Sequence, residues 1–179
     1  MTEPTTAHKT FFERVRECHG GAVIFAGSGS DESHIEQIVK SCESFHIPYE
    51  VRIASAHKQQ QKLLTLLGAY DTHHDLQLVY VAVTGGTDAL SGTLSYHSSR
   101  PTISCPPDHP NASCINNPLG SSNMYVGHPA NVGRAVAQIL SLSHEKYGHR
   151  LSASKAKKEI DLDADDVKLH HMYGERQEK

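Results

Sequence analysis

The sequence predicts an α/β fold, a three-layer α/β/α sandwich around a mostly parallel sheet, and three observations carry that prediction. Apolar, β-rich runs alternate with helical patterns along most of the chain. The most apolar run, residues 76–83 (LQLVYVAV), suits a central parallel strand covered on both faces. Several of the runs stop abruptly at short turns of Gly, Ser or Thr that lead straight into helical patterns.

In chain order, residues 1–20 form a polar N-terminal extension with a short helix over about 11–18. The first strand is 22–27. A helix starts near Asp31, a good N-cap, and turns Ile35, Ile38, Val39, Cys42 and Phe45 toward the sheet. Pro48 ends it, because proline disfavours helix in the residue before it. Residues 49–54 read as the second strand, followed by a helix with Leu63, Leu64, Leu66 and Leu67 on its core face and a polar loop at 71–75. After the strand 76–83 come a helical segment at 89–97 and a short strand at 101–105, stopped by Pro106 and Pro107. Residues 106–122 form a long loop dense in turn residues; such loops are functional or mobile. A fifth strand at 123–127 and a helix over 130–147, with Val132, Ala135, Val136, Ile139 and Leu140 on one face, complete an α/β domain spanning 21–147. From Gly148 the composition shifts, and the charge-dense tail 148–179 is either helical or disordered.

The chain's 179 residues fit one domain with a proper core. A net charge of −3 gives no electrostatic case for nucleic acid or an anionic membrane surface. No apolar run approaches the roughly 20 residues that span a bilayer, and residues 1–10 have no signal-peptide core, so a cytoplasmic protein is expected. Cys18, Cys42, Cys105 and Cys114 lack C-x-x-C spacing and read as free, mostly buried thiols. The fourteen histidines are scattered, and pairs such as His73–His74 and His170–His171 read as solvated rather than metal-binding.

Right-handed crossovers place the carboxyl ends of parallel strands along one edge. That edge gathers the turns 27–31 (GSGSD), 55–58 (SAHK) and 84–88 (TGGTD) with the loop 106–122. Ser28, Ser30 and the N–H groups at the start of the first helix suit a phosphate, unless 27–31 is simply a turn. Lys58 offers a mobile cation for the same phosphate, and the acceptor-only Asp31 suits ribose hydroxyls. An imidazole titrates at about 6.5 in water, so His57 fits general acid–base work, the alternative being a hydrogen bond to a loop carbonyl. Gly85 and Gly86 allow close approach of a flat ring or a small carboxyl group, or else form only a tight turn.

Together these segments resemble the PurE family, enzymes of carboxyaminoimidazole ribonucleotide synthesis in purine biosynthesis. The carrying residues are 27–31, matching the family's G-S-x-S-D, and Ser55-Ala56-His57-Lys58, matching S-A-H-[RK]. Thr84-Gly85-Gly86, Asp88-Ala89-Leu90-Ser91-Gly92 and Ser104-Cys105-Pro106-Pro107 complete the match, which covers roughly 20–145. The resemblance implies a flavodoxin/Rossmann-like sheet, a homo-octamer with sites between subunits, and no metal or organic cofactor. It implies that Ser30 and Lys58 hold the phosphate of the ribonucleotide, that Asp31 holds the ribose, and that His57 moves the proton on and off the imidazole C4. Ser28, Ser55, Gly85 and Gly86 are the further residues expected to bind the substrate. Lys58 after His57, the Ala-Leu-Ser-Gly and Ser-Cys-Pro-Pro segments, and Ala89 where the mutase branch has histidine look like class II, the branch that carboxylates aminoimidazole ribonucleotide directly with CO2. The turn 84–88 departs from the class II pattern Ala-Gly-Arg-Ser-Asn: the arginine is missing and Asp88 adds a negative charge. The loop after Pro107 also lacks the family's base-covering sequence. Three functions follow: the class II carboxylase, a mutase or carboxylase paralogue acting on N5-carboxyaminoimidazole ribonucleotide or another mononucleotide, and a non-catalytic nucleotide-binding module.

Overall fold

A computed structural model describes residues 9–177. Residues 1–8 of the expected N-terminal extension and 178–179 of the expected tail lie outside the described residues. Five strands, β1 (Gly21–Ala26), β2 (Tyr49–Ile53), β3 (Leu78–Val83), β4 (Thr102–Ser104) and β5 (Met124–Tyr125), form one sheet in the order β2-β1-β3-β4-β5. Every neighbouring pair is parallel. This is the flavodoxin-like order, whose switch point lies between β1 and β3.

The central strands are apolar throughout because both faces are covered. Ala22, Ile24 and Ala26 of β1 and Val79, Val81 and Val83 of β3 pack with α2 (Glu32–Ser44) and α5 (Val132–Ser141). The intervening Val23, Phe25 and Tyr80 pack on the other face with α1 (Phe11–Cys18), α3 (Gln60–Asp71) and α4 (Leu90–His97). Strand period two thus feeds two separate cores. Arg100 fastens the edge opposite the strand ends. It donates to Asp71 Oδ1 at 3.0 Å and to the carbonyls of Leu76 and His73 at 2.6 and 2.8 Å.

Three expectations need correction. The helix over 130–147 is two helices: α5 stops at Ser141, and α6 (Glu145–Gln177) begins after a short break. The buried stripe Val132, Val136, Leu140 ends there, Leu142 points outward, and the chain turns so that Tyr147 is buried and its hydroxyl donates to the Cys18 carbonyl at 2.7 Å. The shift in composition at Gly148 therefore falls inside a 33-residue helix, exposed from Lys155 to Gly174. Leu64 is only half-buried and stands apart from the core that takes Leu63 and Leu67, while Tyr70 of the same helix joins it. Asp31 stands at the N-cap of α2, but its side chain caps nothing. A 3₁₀ turn at Gly29–Asp31 precedes α2, and Ser28 caps that turn instead.

All four cysteines are free, and Cys42, Cys105 and Cys114 are buried. Burial pushes the thiols of Cys42 and Cys105 up to about 12, so they pack as small apolar groups. No helix among the described residues is long and apolar enough to cross a membrane.

Candidate active site

The carboxyl ends of β1, β2 and β3 enclose a cleft of about 350 Å³. Of the expected site residues, Ser28, Ser30, Asp31, Ser55, His57, Lys58 and Gly85 line it; Gly86 does not. Thr84, Thr87, Ala89 and Leu90 complete the third wall; Ala89 was marked in the sequence only by its resemblance to class II, and the other three carried no expected role. Neutral hydroxyls and small apolar groups carry no motif, so only the fold brings them forward.

The first wall follows β1. Gly27 donates its N–H to the Val83 carbonyl at 2.9 Å, which holds the turn against β3. A Cβ on Gly27 would lie 2.8 Å from Thr84 Oγ1, so glycine is required for that approach. Ser28 and Ser30 are exposed, with their hydroxyls 2.9 Å apart and the Ser30 N–H on Ser28 Oγ at 3.2 Å. This pairs two hydroxyls at the mouth of α2, where the helix dipole favours an anion. The Asp31 carboxylate, freed from capping, faces the same opening and among the described residues meets only the Ser30 hydroxyl, at 3.5 Å.

The second wall follows β2. Ser55 Oγ accepts the Lys58 N–H at 3.3 Å, and the Gln59 N–H reaches the Ser55 carbonyl at 2.8 Å. Ser55 therefore shapes the turn that holds out the exposed His57 and Lys58. No hydrogen bond to another described residue engages the His57 ring or the Lys58 ammonium.

The third wall follows β3 and is strapped by the loop after β4. Asp108 Oδ2 accepts the Gly86 N–H at 2.7 Å. Asn111 Nδ2 and Ser113 Oγ both donate to the Gly86 carbonyl at 2.9 Å. Gly86 has φ +69°, a conformation glycine tolerates, and its amide is no longer free for a ligand. Asp88 turns away from the cleft: its Oδ1 accepts the N–H groups of Leu90 and Ser91 at 2.8 and 3.0 Å, and its Oδ2 accepts the Ser91 hydroxyl. The charge that looked out of place in the sequence thus neutralises the start of α4. Desolvation pulls the Asp108 carboxyl up, but the bonds from Gly86 and Asn111 outweigh it and leave Asp108 below its ordinary value.

One polar atom on this wall is unmatched. Thr84 Oγ1 is buried and has no hydrogen-bond partner among the described residues. An unpaired buried hydroxyl is costly, and its place at the cleft marks where a bound molecule or water would be welcome.

A family model described as AIR carboxylase matches residues 22–160. The chain belongs to the AIR carboxylase family. A phosphoribosylaminoimidazole carboxylase of Treponema denticola is 32% identical over 156 residues, covering 82% of this chain and 96% of the relative. The crystal structure of Treponema denticola PurE superposes with a TM-score of 0.78 at 30% identity, covering 84% of this chain and 98% of that one. The human bifunctional phosphoribosylaminoimidazole carboxylase/phosphoribosylaminoimidazole succinocarboxamide synthetase is 34% identical over 153 residues, and the match spans 36% of its length.

Proposed function

We propose that the chain carboxylates aminoimidazole ribonucleotide with CO2, reversibly, giving carboxyaminoimidazole ribonucleotide in purine biosynthesis. The observation that carries this reading is the convergence of 27–31 and 55–58 on one cleft with the His57 ring and the Lys58 ammonium unengaged. Ser28, Ser30 and Lys58 take the 5′-phosphate through hydroxyls, helix N–H groups and a cation. Asp31 accepts the ribose hydroxyls, and Ser55 holds the turn that aims His57. The base then lies toward Thr84, Gly85 and Ala89.

The chemistry asks for one proton carrier. The electron-rich C4 of the imidazole attacks CO2, a C–C bond forms, and His57 removes the C4 proton to restore the aromatic ring. In reverse, His57 returns the proton to C4 and the C–C bond breaks with loss of CO2. Ala89 on the third wall, where the mutase branch carries histidine, favours the carboxylase over the mutase. We place this activity in the cytoplasm, in a unit spanning 21–147 that assembles as a homo-octamer, with α6 as an arm toward a neighbouring subunit.

The test is decarboxylation of carboxyaminoimidazole ribonucleotide, followed as loss of its ultraviolet absorbance. Turnover by the wild-type chain is expected; none in either direction would sink the proposal. A thermal-shift panel of mononucleotides separates the paralogue reading, since aminoimidazole ribonucleotide should stabilise the chain more than any other.

A further inference from the structure

The turn after β3 contains a glycine pair whose second amide would ordinarily be open to an anionic group of a bound molecule. In this chain that amide already holds an anion. The Asp108 carboxylate accepts the Gly86 N–H through Oδ2 at 2.7 Å, and its Oδ1 accepts Asn111 Nδ2 at 2.9 Å. Asn111 is itself buried and fixed, since its Oδ1 accepts the Ser113 N–H at 2.9 Å while its Nδ2 also grips the Gly86 carbonyl. Ser113 in turn receives the Asp88 N–H at 2.9 Å, so the strap is tied to both sides of the turn. A Cβ built on Gly85, which lines the cleft, would lie 3.3 Å from Asp108 Oδ1. The carboxylate therefore stands just behind the cleft wall.

A second anion brought to Gly85 meets two obstacles. The neighbouring Gly86 amide is already bonded, and a fixed negative charge lies a few ångströms away. The cleft lining supplies little relief on this side: Thr84, Thr87, Ala89 and Leu90 are uncharged, and the Lys58 ammonium belongs to the second wall.

We infer that Asp108 is a specificity-determining residue: it occupies the Gly86 amide and excludes a carboxylate from the glycine turn, so that the cleft binds the uncarboxylated ribonucleotide in preference to its carboxylated form. The inference rests on the functional reading above and adds to it a direction of preference. It leaves the overall equilibrium of the reaction untouched, as any catalyst must. It shifts the balance on the protein toward free CO2 and the neutral base, and it speeds release of the carboxylated nucleotide.

The experiment compares dissociation constants of aminoimidazole ribonucleotide and carboxyaminoimidazole ribonucleotide, measured calorimetrically on the full chain carrying His57→Asn to prevent turnover. Asp108→Asn keeps an oxygen for the Gly86 N–H and removes the charge. It should tighten binding of the carboxylated nucleotide by about tenfold, as expected for removing a like charge at short range, and leave the uncarboxylated one within about twofold. Asp108→Ala, which also frees the amide, should tighten the carboxylated nucleotide at least as much and guards against a local defect peculiar to asparagine. Binding of both nucleotides with a ratio that neither substitution moves overturns this inference alone. Binding of neither nucleotide overturns the functional reading and this inference with it.

Discussion

The wall built by 27–31 and 55–58 and the wall built by 84–88 are both strand-end turns rich in small residues, yet their polar groups have opposite fates. On the first, the Asp31 carboxylate caps no helix, the serine hydroxyls pair at the mouth of α2, and His57 and Lys58 reach into the cleft without a hydrogen-bond partner among the described residues. On the second, the Gly86 amide and carbonyl are bonded to Asp108, Asn111 and Ser113, and the Asp88 carboxylate is bonded to the start of α4. The difference teaches that one wall leaves its polar groups open to the cleft while the other spends them on its own shape. Rigid elements position a few unengaged groups on the first wall, and the proposed function rests on those groups.

Breaking the receptive wall should give the largest effect. Lys58→Ala removes the cation without touching the strap, and a charge-assisted hydrogen bond of about 1.5–3 kcal/mol corresponds to roughly a ten- to hundredfold loss of affinity for the 5′-phosphorylated nucleotide. The unphosphorylated nucleoside should be almost indifferent to the change; equal losses for both would contradict a phosphate role. On the shape-holding wall, Asp88→Ala leaves two helix N–H groups and the Ser91 hydroxyl unanswered. It should lower unfolding stability by about 1–2 kcal/mol in a urea titration, with nucleotide affinity changing less than for Lys58→Ala.

These two residues also show where sequence reasoning reaches and where it stops. Ser28, Ser30, Asp31, Ser55, His57 and Lys58 were legible because each belongs to a contiguous motif at a strand end, and parallel topology gathers strand ends. Gly85 reached the cleft for the same reason. Gly86 did not, because its amide is taken by Asp108, 22 residues further on in a loop whose path no local pattern fixes. The inward turn of Asp88 was hidden likewise, since a carboxylate reads the same whether it faces solvent or caps the helix that follows it. The strands and helices followed their hydrophobic periods closely. The break at 142–144 escaped detection because α5 and α6 are both good helix formers, and only the burial of Tyr147 forces the chain to turn.

Smaller effects sharpen the contrast. Gly86→Ala places a Cβ where nothing lies within 4 Å, so only backbone strain at φ +69° opposes it. A loss of about 1 kcal/mol in stability is expected, again by urea titration. The smallest effect is electrostatic. Asp108 titrates lower in the folded chain than unfolded, so the folded state favours its charged form. Its contribution is therefore present above the unfolded carboxyl range and is lost as pH falls through the folded value. The melting-temperature difference between wild type and Asp108→Asn should accordingly shrink on acidification, and a difference that grew would contradict the sign.

The measurement that bears most directly on the division between gripping and chemistry is the effect of His57→Asn on turnover and on nucleotide affinity in the same preparation. Decarboxylation of carboxyaminoimidazole ribonucleotide should fall by at least about a hundredfold, the scale of a lost general acid. The dissociation constant for aminoimidazole ribonucleotide should stay within about twofold of wild type, because the phosphate and ribose contacts lie elsewhere. Turnover that survives the substitution, or affinity that collapses with it, would contradict the assignment of His57 as the proton carrier of a cleft whose grip lies in its neighbours.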